Sequence, residues 1–205
     1  ALTPWMYSKI KKGDIRSMRK VLQLLSVVVV GIAVALMLIS PELVLIFGSP
    51  KYREAVYVIP PVAASVFFIF IYNILSMPQF YYEKTQFLMA ASMAAAGANV
   101  VLNFIFIRLF GYIAAGYTTL ACYMLYSVGH YIVSKRILVN EGIQENLMSP
   151  GFLVACSVFL IGASIICNLI FPYRILRYAI LLASAGLVFW KKELLLKTMA
   201  DIRKK

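Results

Sequence analysis

The chain has 205 residues, 62% of them hydrophobic and 14% charged, with a formal net charge of +12 and a mean hydropathy of +0.86. Soluble globular domains carry about a quarter charged residues, so this composition excludes an ordinary water-soluble fold and makes the bilayer the solvent. Unpaired backbone groups cost several kcal/mol each in hydrocarbon, and the apolar runs are unbroken rather than alternating like barrel strands; the expected fold class is all-α, a polytopic membrane helix bundle.

Residues 1–20 form a basic amphipathic segment. Met6, Ile10, Met18 and Leu22 recur at multiples of four, while Lys9, Lys12, Arg16 and Arg19 occupy other faces. The pattern predicts a cytoplasmic interfacial helix, interrupted near Gly13-Asp14, that leads into the first span. The chain opens on Ala1 rather than methionine and shows no cleavable-signal pattern, so an upstream portion is expected.

Ionised residues are absent from Val21–Pro41, Ala55–Tyr82, Thr85–Ile107, Leu109–Ser134 and Asn146–Tyr173. Each run can hold the roughly 20 apolar residues that a helix needs to cross about 30 Å of hydrocarbon. Gly48-Ser49-Pro50, Glu83-Lys84-Thr85-Gln86 and the Gly111 segment mark the turns between them. Residues 21–136 are therefore a four-helix transmembrane block, 137–150 a cytoplasmic loop, 151–190 a final helix pair and 191–205 a basic cytoplasmic tail. The last span is the weakest: Tyr178–Trp190 holds only 13 uncharged residues, so a crossing must begin near Tyr173 with Arg174 and Arg177 snorkelling to the interface. About six spans result.

With six spans, 15 cations fall on the side of the termini and five (Lys51, Arg53, Arg108, Arg174, Arg177) on the other. The positive-inside rule then makes both termini cytoplasmic. This placement assigns the positive charge to membrane lipid and not to nucleic acid.

Polar residues inside the spans are the candidates for a substrate pathway. Asn99 and Asn103, four apart, share one face of the third span, and Asn73 and Gln79 lie in the second. Interhelical hydrogen bonding is the more ordinary role for such amides and needs no substrate. Pro60, Pro61 and Pro78 permit kinks in the second run. His130, four residues before Ser134, is expected at the interface, and Cys122, Cys156 and Cys167 read as free apolar thiols. One histidine, no acids within the runs and no phosphate loop leave no triad, carboxylate pair or metal cluster to assemble, so neither an enzyme nor a cofactor is expected.

Several short motifs carry a family resemblance. Ala1-Leu2-Thr3-Pro4 with Tyr7-Ser8-Lys9 and Lys12-Gly13-Asp14, then Phe47-Gly48, Lys51-Tyr52 and Ala55, resemble segments in the second lobe of bacterial polysaccharide flippases. Ala98-Asn99-Val100-Val101-Leu102-Asn103 followed by Gly111-Tyr112-Ile113-Ala114-Ala115-Gly116-Tyr117-Thr118-Thr119 is the most specific match. Arg108-Leu109 and Gly116-Tyr117 depart from the family pattern. The resemblance covers roughly residues 1–136 and implies the multidrug, oligosaccharidyl-lipid and polysaccharide exporter superfamily. It implies the C-terminal lobe of a two-lobe transporter that moves undecaprenyl-diphosphate-linked oligosaccharide across the bacterial inner membrane by alternating access, with the N-terminal lobe of the same protein as its partner. The diphosphate calls for fixed cations. The uncharged runs carry none, so Lys51, Arg53 and Arg108 are the outer-face candidates and the remainder is expected in the missing lobe. A multidrug or toxin exporter, or a membrane subunit or enzyme of polysaccharide assembly, is the alternative.

Overall fold

A computed structural model describes residues 2–190; Ala1 and the basic tail 191–205 lie outside the described residues. The described chain is helical throughout and holds no strand. Its α-helices are α1 (Leu2–Lys11), α2 (Ile15–Phe47), α3 (Ile59–Tyr81), α4 (Gln86–Phe110), α5 (Ala114–Asn140), α6 (Pro150–Ile170) and α7 (Arg174–Trp190), with a 3-10 segment at Pro50–Tyr57.

α3 lies at the centre, against α2, α5 and α6, and α1 packs across it. α4 packs on α5, and α7 reaches α2 and α6. The tight turns make neighbours antiparallel, so the bundle has two ends. One gathers the C-termini of α2, α4 and α6 with the N-termini of α3, α5 and α7, tied by Tyr112 donating to Glu54 at 3.0 Å and by Arg177 on Glu42. The other gathers the start of α2, the α3–α4 turn and residues 141–149, where Lys84 pairs with Glu141 at 2.8 Å and Arg19 Nε donates to the Asn146 carbonyl at 2.7 Å. The five cations assigned above to one side of the membrane, Lys51, Arg53, Arg108, Arg174 and Arg177, therefore share one end of the bundle.

Among the described residues four helices, α2, α3, α4 and α6, are long and apolar enough to cross a membrane, against about six spans expected of the chain. α5 has the length, 27 residues, but Gly116, Thr118, Thr119, Ser127, His130 and Ser134 dilute its apolar content. α7 is described over 17 residues and begins with Arg174 and Arg177.

Breaks in the helices have local causes. Gly13, at φ 67°, separates α1 from α2, and Asp14 caps α2 by accepting from the Ser17 amide at 3.3 Å. Gly111, at φ 76°, ends α4 as its amide closes on the Ile107 carbonyl at 2.9 Å. α2 runs on through Pro41, which cannot donate to the Met37 carbonyl; the Ser40 hydroxyl takes that carbonyl at 2.8 Å instead.

The stripe Met6, Ile10, Met18, Leu22 is buried in the core and does not face a membrane interface. α1 folds back on α3, so the apolar face that the periodicity identified is covered by protein. Lys9, also buried, is neutralised by Asp14 and donates to the Ser17 hydroxyl at 3.2 Å. The long loop 141–149 is held as well. Leu147 and Met148 are buried, and Arg16 pairs with Glu145.

Candidate functional site

Two polar places stand out, one along the shaft of the bundle and one at its end. Along the shaft, the contact between α3 and α5 includes an aromatic ladder. The rings of Tyr72 and Tyr123 stack with centroids 6.3 Å apart, Tyr72 and Tyr126 lie at 4.7 Å, and Tyr126 meets His130 edge-on at 4.5 Å. Phe87 from α4 closes on His130 at 5.4 Å. His130 is fully buried, and α5 continues past Ser134 to Asn140, so the expected interfacial histidine is an internal one. Its Nδ1 lies 2.7 Å from Gln79 Nε2, joining α5 to α3, while His130 Nε2 and Gln79 Oε1 meet no partner.

Around this ladder the four candidate pathway residues separate. Gln79 is buried and serves the α3–α5 contact. Asn73 is exposed, its side-chain amide donating to the Ile69 carbonyl of its own helix at 2.7 Å. Asn99 and Asn103 are half-buried: Asn103 Nδ2 donates to Asn99 Oδ1 at 2.9 Å, and the Thr118 hydroxyl donates to Asn103 Oδ1. These two amides thus fasten α4 to α5. Sequence spacing placed them on one face, and Thr118 is the partner it missed. Ser92, exposed on α4, bonds the Tyr126 hydroxyl at 2.7 Å. At 1.5 Å per residue, Asn73 sits about 12 Å inside the end of α3 and Ser92 about 9 Å inside the start of α4. Both are therefore exposed at depths that belong to hydrocarbon if this surface faces lipid, where polar groups are disfavoured.

The bundle end carries the second place. Arg177, on the first turn of α7, is 1% exposed and does not snorkel outward. It forks onto Glu42, Nη1 to Oε2 at 2.8 Å and Nη2 to Oε1 at 2.9 Å, and Nη1 also donates to the Leu38 carbonyl at 2.8 Å. The Tyr178 hydroxyl donates to Glu42 Oε1 at 2.7 Å. Glu42 follows Pro41 directly, so the α2 turn loosened by proline is the turn that receives the guanidinium. The pair borders a cavity of about 530 Å³ that Arg53 and Arg174 also line.

Of the outer-face candidates, Arg53 is thus brought together with Arg174 and Arg177, which the sequence reading had assigned to the same side without counting them as candidates. Lys51 is exposed nearby in the chain but does not line the cavity. Arg108 stands apart at the end of α4, its guanidinium 3.8 Å from the centre of the Phe104 ring. A separate cavity of about 490 Å³ between α4 and α5 is lined almost wholly by apolar groups, Phe106, Phe110 and Ile113 among them. Among the described residues no group of three His, Cys, Asp or Glu side chains is placed to hold a metal ion. The chain matches no protein-family model, no curated protein and no solved structure.

Proposed function

We propose that this chain is a lobe of an integral membrane flippase that moves undecaprenyl-diphosphate-linked oligosaccharide across the bacterial inner membrane by alternating access, with both termini of this segment on the cytoplasmic side. The observation that carries the reading is the polar and aromatic surface of α3, α4 and α5, formed by exposed Asn73 and Ser92 beside half-buried Tyr72 and Tyr126. Such a surface suits water, hydroxyl-rich sugar and a second helical body. Amides and phenols supply hydrogen bonds, and tyrosine rings offer faces for the apolar sides of sugar rings.

α4 supports the same reading. None of its 25 residues is buried by the rest of the chain, although its first half is rich in alanine and glycine. Small residues serve close helix packing in membranes, and an N-terminal lobe laid against α4 gives them that role. The motifs around Asn99–Thr119 add the family resemblance. The role is translocation and not bond chemistry.

The test is transport by the full-length protein in proteoliposomes loaded with fluorescent lipid-linked oligosaccharide. Asn73→Leu removes an exposed amide bonded only within its own helix and Ser92→Leu a single exposed hydroxyl bond to Tyr126 of α5, a loss of about 1 kcal/mol, so insertion and helicity are expected to hold. Loss of about one hydrogen bond to a passing substrate corresponds to up to roughly a tenfold fall in rate. Wild-type transport by the double variant would remove the polar surface from the pathway, and absence of transport by the wild-type protein would refute the flippase reading itself.

A further inference from the structure

The cavity at the end of the bundle is basic. Its wall holds three arginines, Arg53, Arg174 and Arg177, against one acid, Glu42, leaving a net charge of +2. Glu42 is already committed, both its oxygens being taken by Arg177 and one also by Tyr178. Arg53 and Arg174 are exposed and form no ion pair among the described residues. Arg177 Nε, buried, meets no acceptor, and an unmatched buried donor is unfavourable unless something else accepts from it. α7 begins at Arg174, so the positive end of its dipole and its first free amides lie at this cavity too, with no acid in the first turn to occupy them.

The rest of the wall says what carries the phosphate. Val44, Leu45 and Phe171 line the same cavity, and the last turn of α2 continues it outward as Leu45, Ile46 and Phe47, which are 64%, 71% and 83% exposed. Free phosphate has no use for an apolar wall. A lipid uses both parts, its headgroup at the arginines and its acyl region along Leu45 to Phe47. The two regions adjoin at a helix end, where a membrane places its headgroup layer.

We propose that this cavity, bounded by Arg53, Arg174 and Arg177, binds the phosphate group of an anionic membrane phospholipid. Binding here joins the start of α7 to the end of α2 and to the 3-10 segment. It requires only that the chain sits in a membrane, and so it does not depend on the transport reading.

Native mass spectrometry of the full chain in neutral detergent, offered phosphatidylglycerol and phosphatidylcholine of matched acyl chains, tests this directly. The wild type is expected to retain phosphatidylglycerol preferentially. Arg53→Gln with Arg174→Gln removes two exposed cations, outside the buried pair, and is expected to weaken that retention roughly 30-fold, with Arg53→Lys and Arg174→Lys keeping most of it. Circular dichroism of each variant checks that the fold is retained. Unchanged retention in the glutamine variant overturns the site. An equal loss in Lys51→Gln, a cation outside the cavity, overturns it in favour of diffuse surface attraction. Thermal stabilisation by inorganic phosphate, lost in the glutamine variant and unaccompanied by any preference for phosphatidylglycerol, overturns the lipid assignment in favour of a free-phosphate site.

Discussion

Removing Glu42 is the most informative single perturbation of the fold, because Arg177 depends on it and α7 depends on Arg177. In Glu42→Ala the guanidinium keeps the Leu38 carbonyl but loses two charge-assisted bonds of 2.8 and 2.9 Å. Stranding one member of a buried pair costs about 3–5 kcal/mol. Here the arginine side chain is 2% exposed but the glutamate 28%, so water entering from the cavity replaces part of what is lost. About 2–3 kcal/mol is the expected result. For a chain of this size that lowers Tm by roughly 5–10 °C, measurable by thermal unfolding in detergent. The companion Glu42→Leu with Arg177→Met removes both charges, so no ion is left buried. It is expected to fall within about 1 kcal/mol of the wild type. A single variant as stable as the wild type would refute the view that the pair holds α7 to α2. So would a double variant that is no more stable than Glu42→Ala.

Gly116→Val is expected to destabilise by about 1–3 kcal/mol, because a Cβ there meets Pro61 Cγ at 2.8 Å and the Val58 carbonyl oxygen at 2.9 Å; Gly97→Ala, with nothing within 4 Å, is neutral or stabilising in the isolated chain, and thermal unfolding compares the two. His130→Phe strands the Gln79 amide and is expected to cost about 1–3 kcal/mol, and adding Gln79→Leu restores most of it in a double-mutant cycle. Met148→Ala, at a fully buried site, is expected to cost about 2–5 kcal/mol and to open residues 141–149 to limited proteolysis. Glu145→Gln, whose partner Arg16 is largely solvent-exposed, leaves both proteolysis and unfolding essentially unchanged.

Helices bounded by strong breakers were legible to within a few residues. The uncharged runs Ala55–Tyr82 and Thr85–Ile107 appear as α3 (Ile59–Tyr81) and α4 (Gln86–Phe110), because Pro50, the Glu83-Lys84 turn and Gly111 leave the backbone little alternative. α2 ends at Phe47, just before the expected Gly48-Ser49-Pro50 breaker, running on past Pro41, where the Ser40 hydroxyl takes the carbonyl that proline cannot serve. What covers each face was not legible. The Met6–Leu22 stripe has the period of an amphipathic helix on a membrane and of a helix on a protein core alike. The choice was made by α1 turning at Gly13 onto α3. His130 was placed by its distance from a helix end that lies six residues further on.

Arg177 shows why charge position alone misleads in a membrane protein. Counting cations near span ends treats each as exposed, and by sequence Arg174 and Arg177 are equivalent, three residues apart at one helix start. A separation of three residues places them on related faces less than one turn apart, yet only one reaches Glu42. The acid that selects it lies 135 residues earlier, directly behind a proline, in a turn that also offers the Leu38 carbonyl. Arg177 is thereby withdrawn into the structure, whereas Arg174 is left exposed at the cavity. The same distinction sorts the polar groups of the shaft. Gln79, Asn99 and Asn103 hold helices together from buried or half-buried positions, whereas Ser92, bonded to Tyr126, and Asn73, bonded within its own helix, sit on the outer surface. Polar groups that reach the surface are the ones a ligand can use, and the two proposals above draw on them: substrate contacts along α3 and α4, phosphate contacts at Arg53 and Arg174.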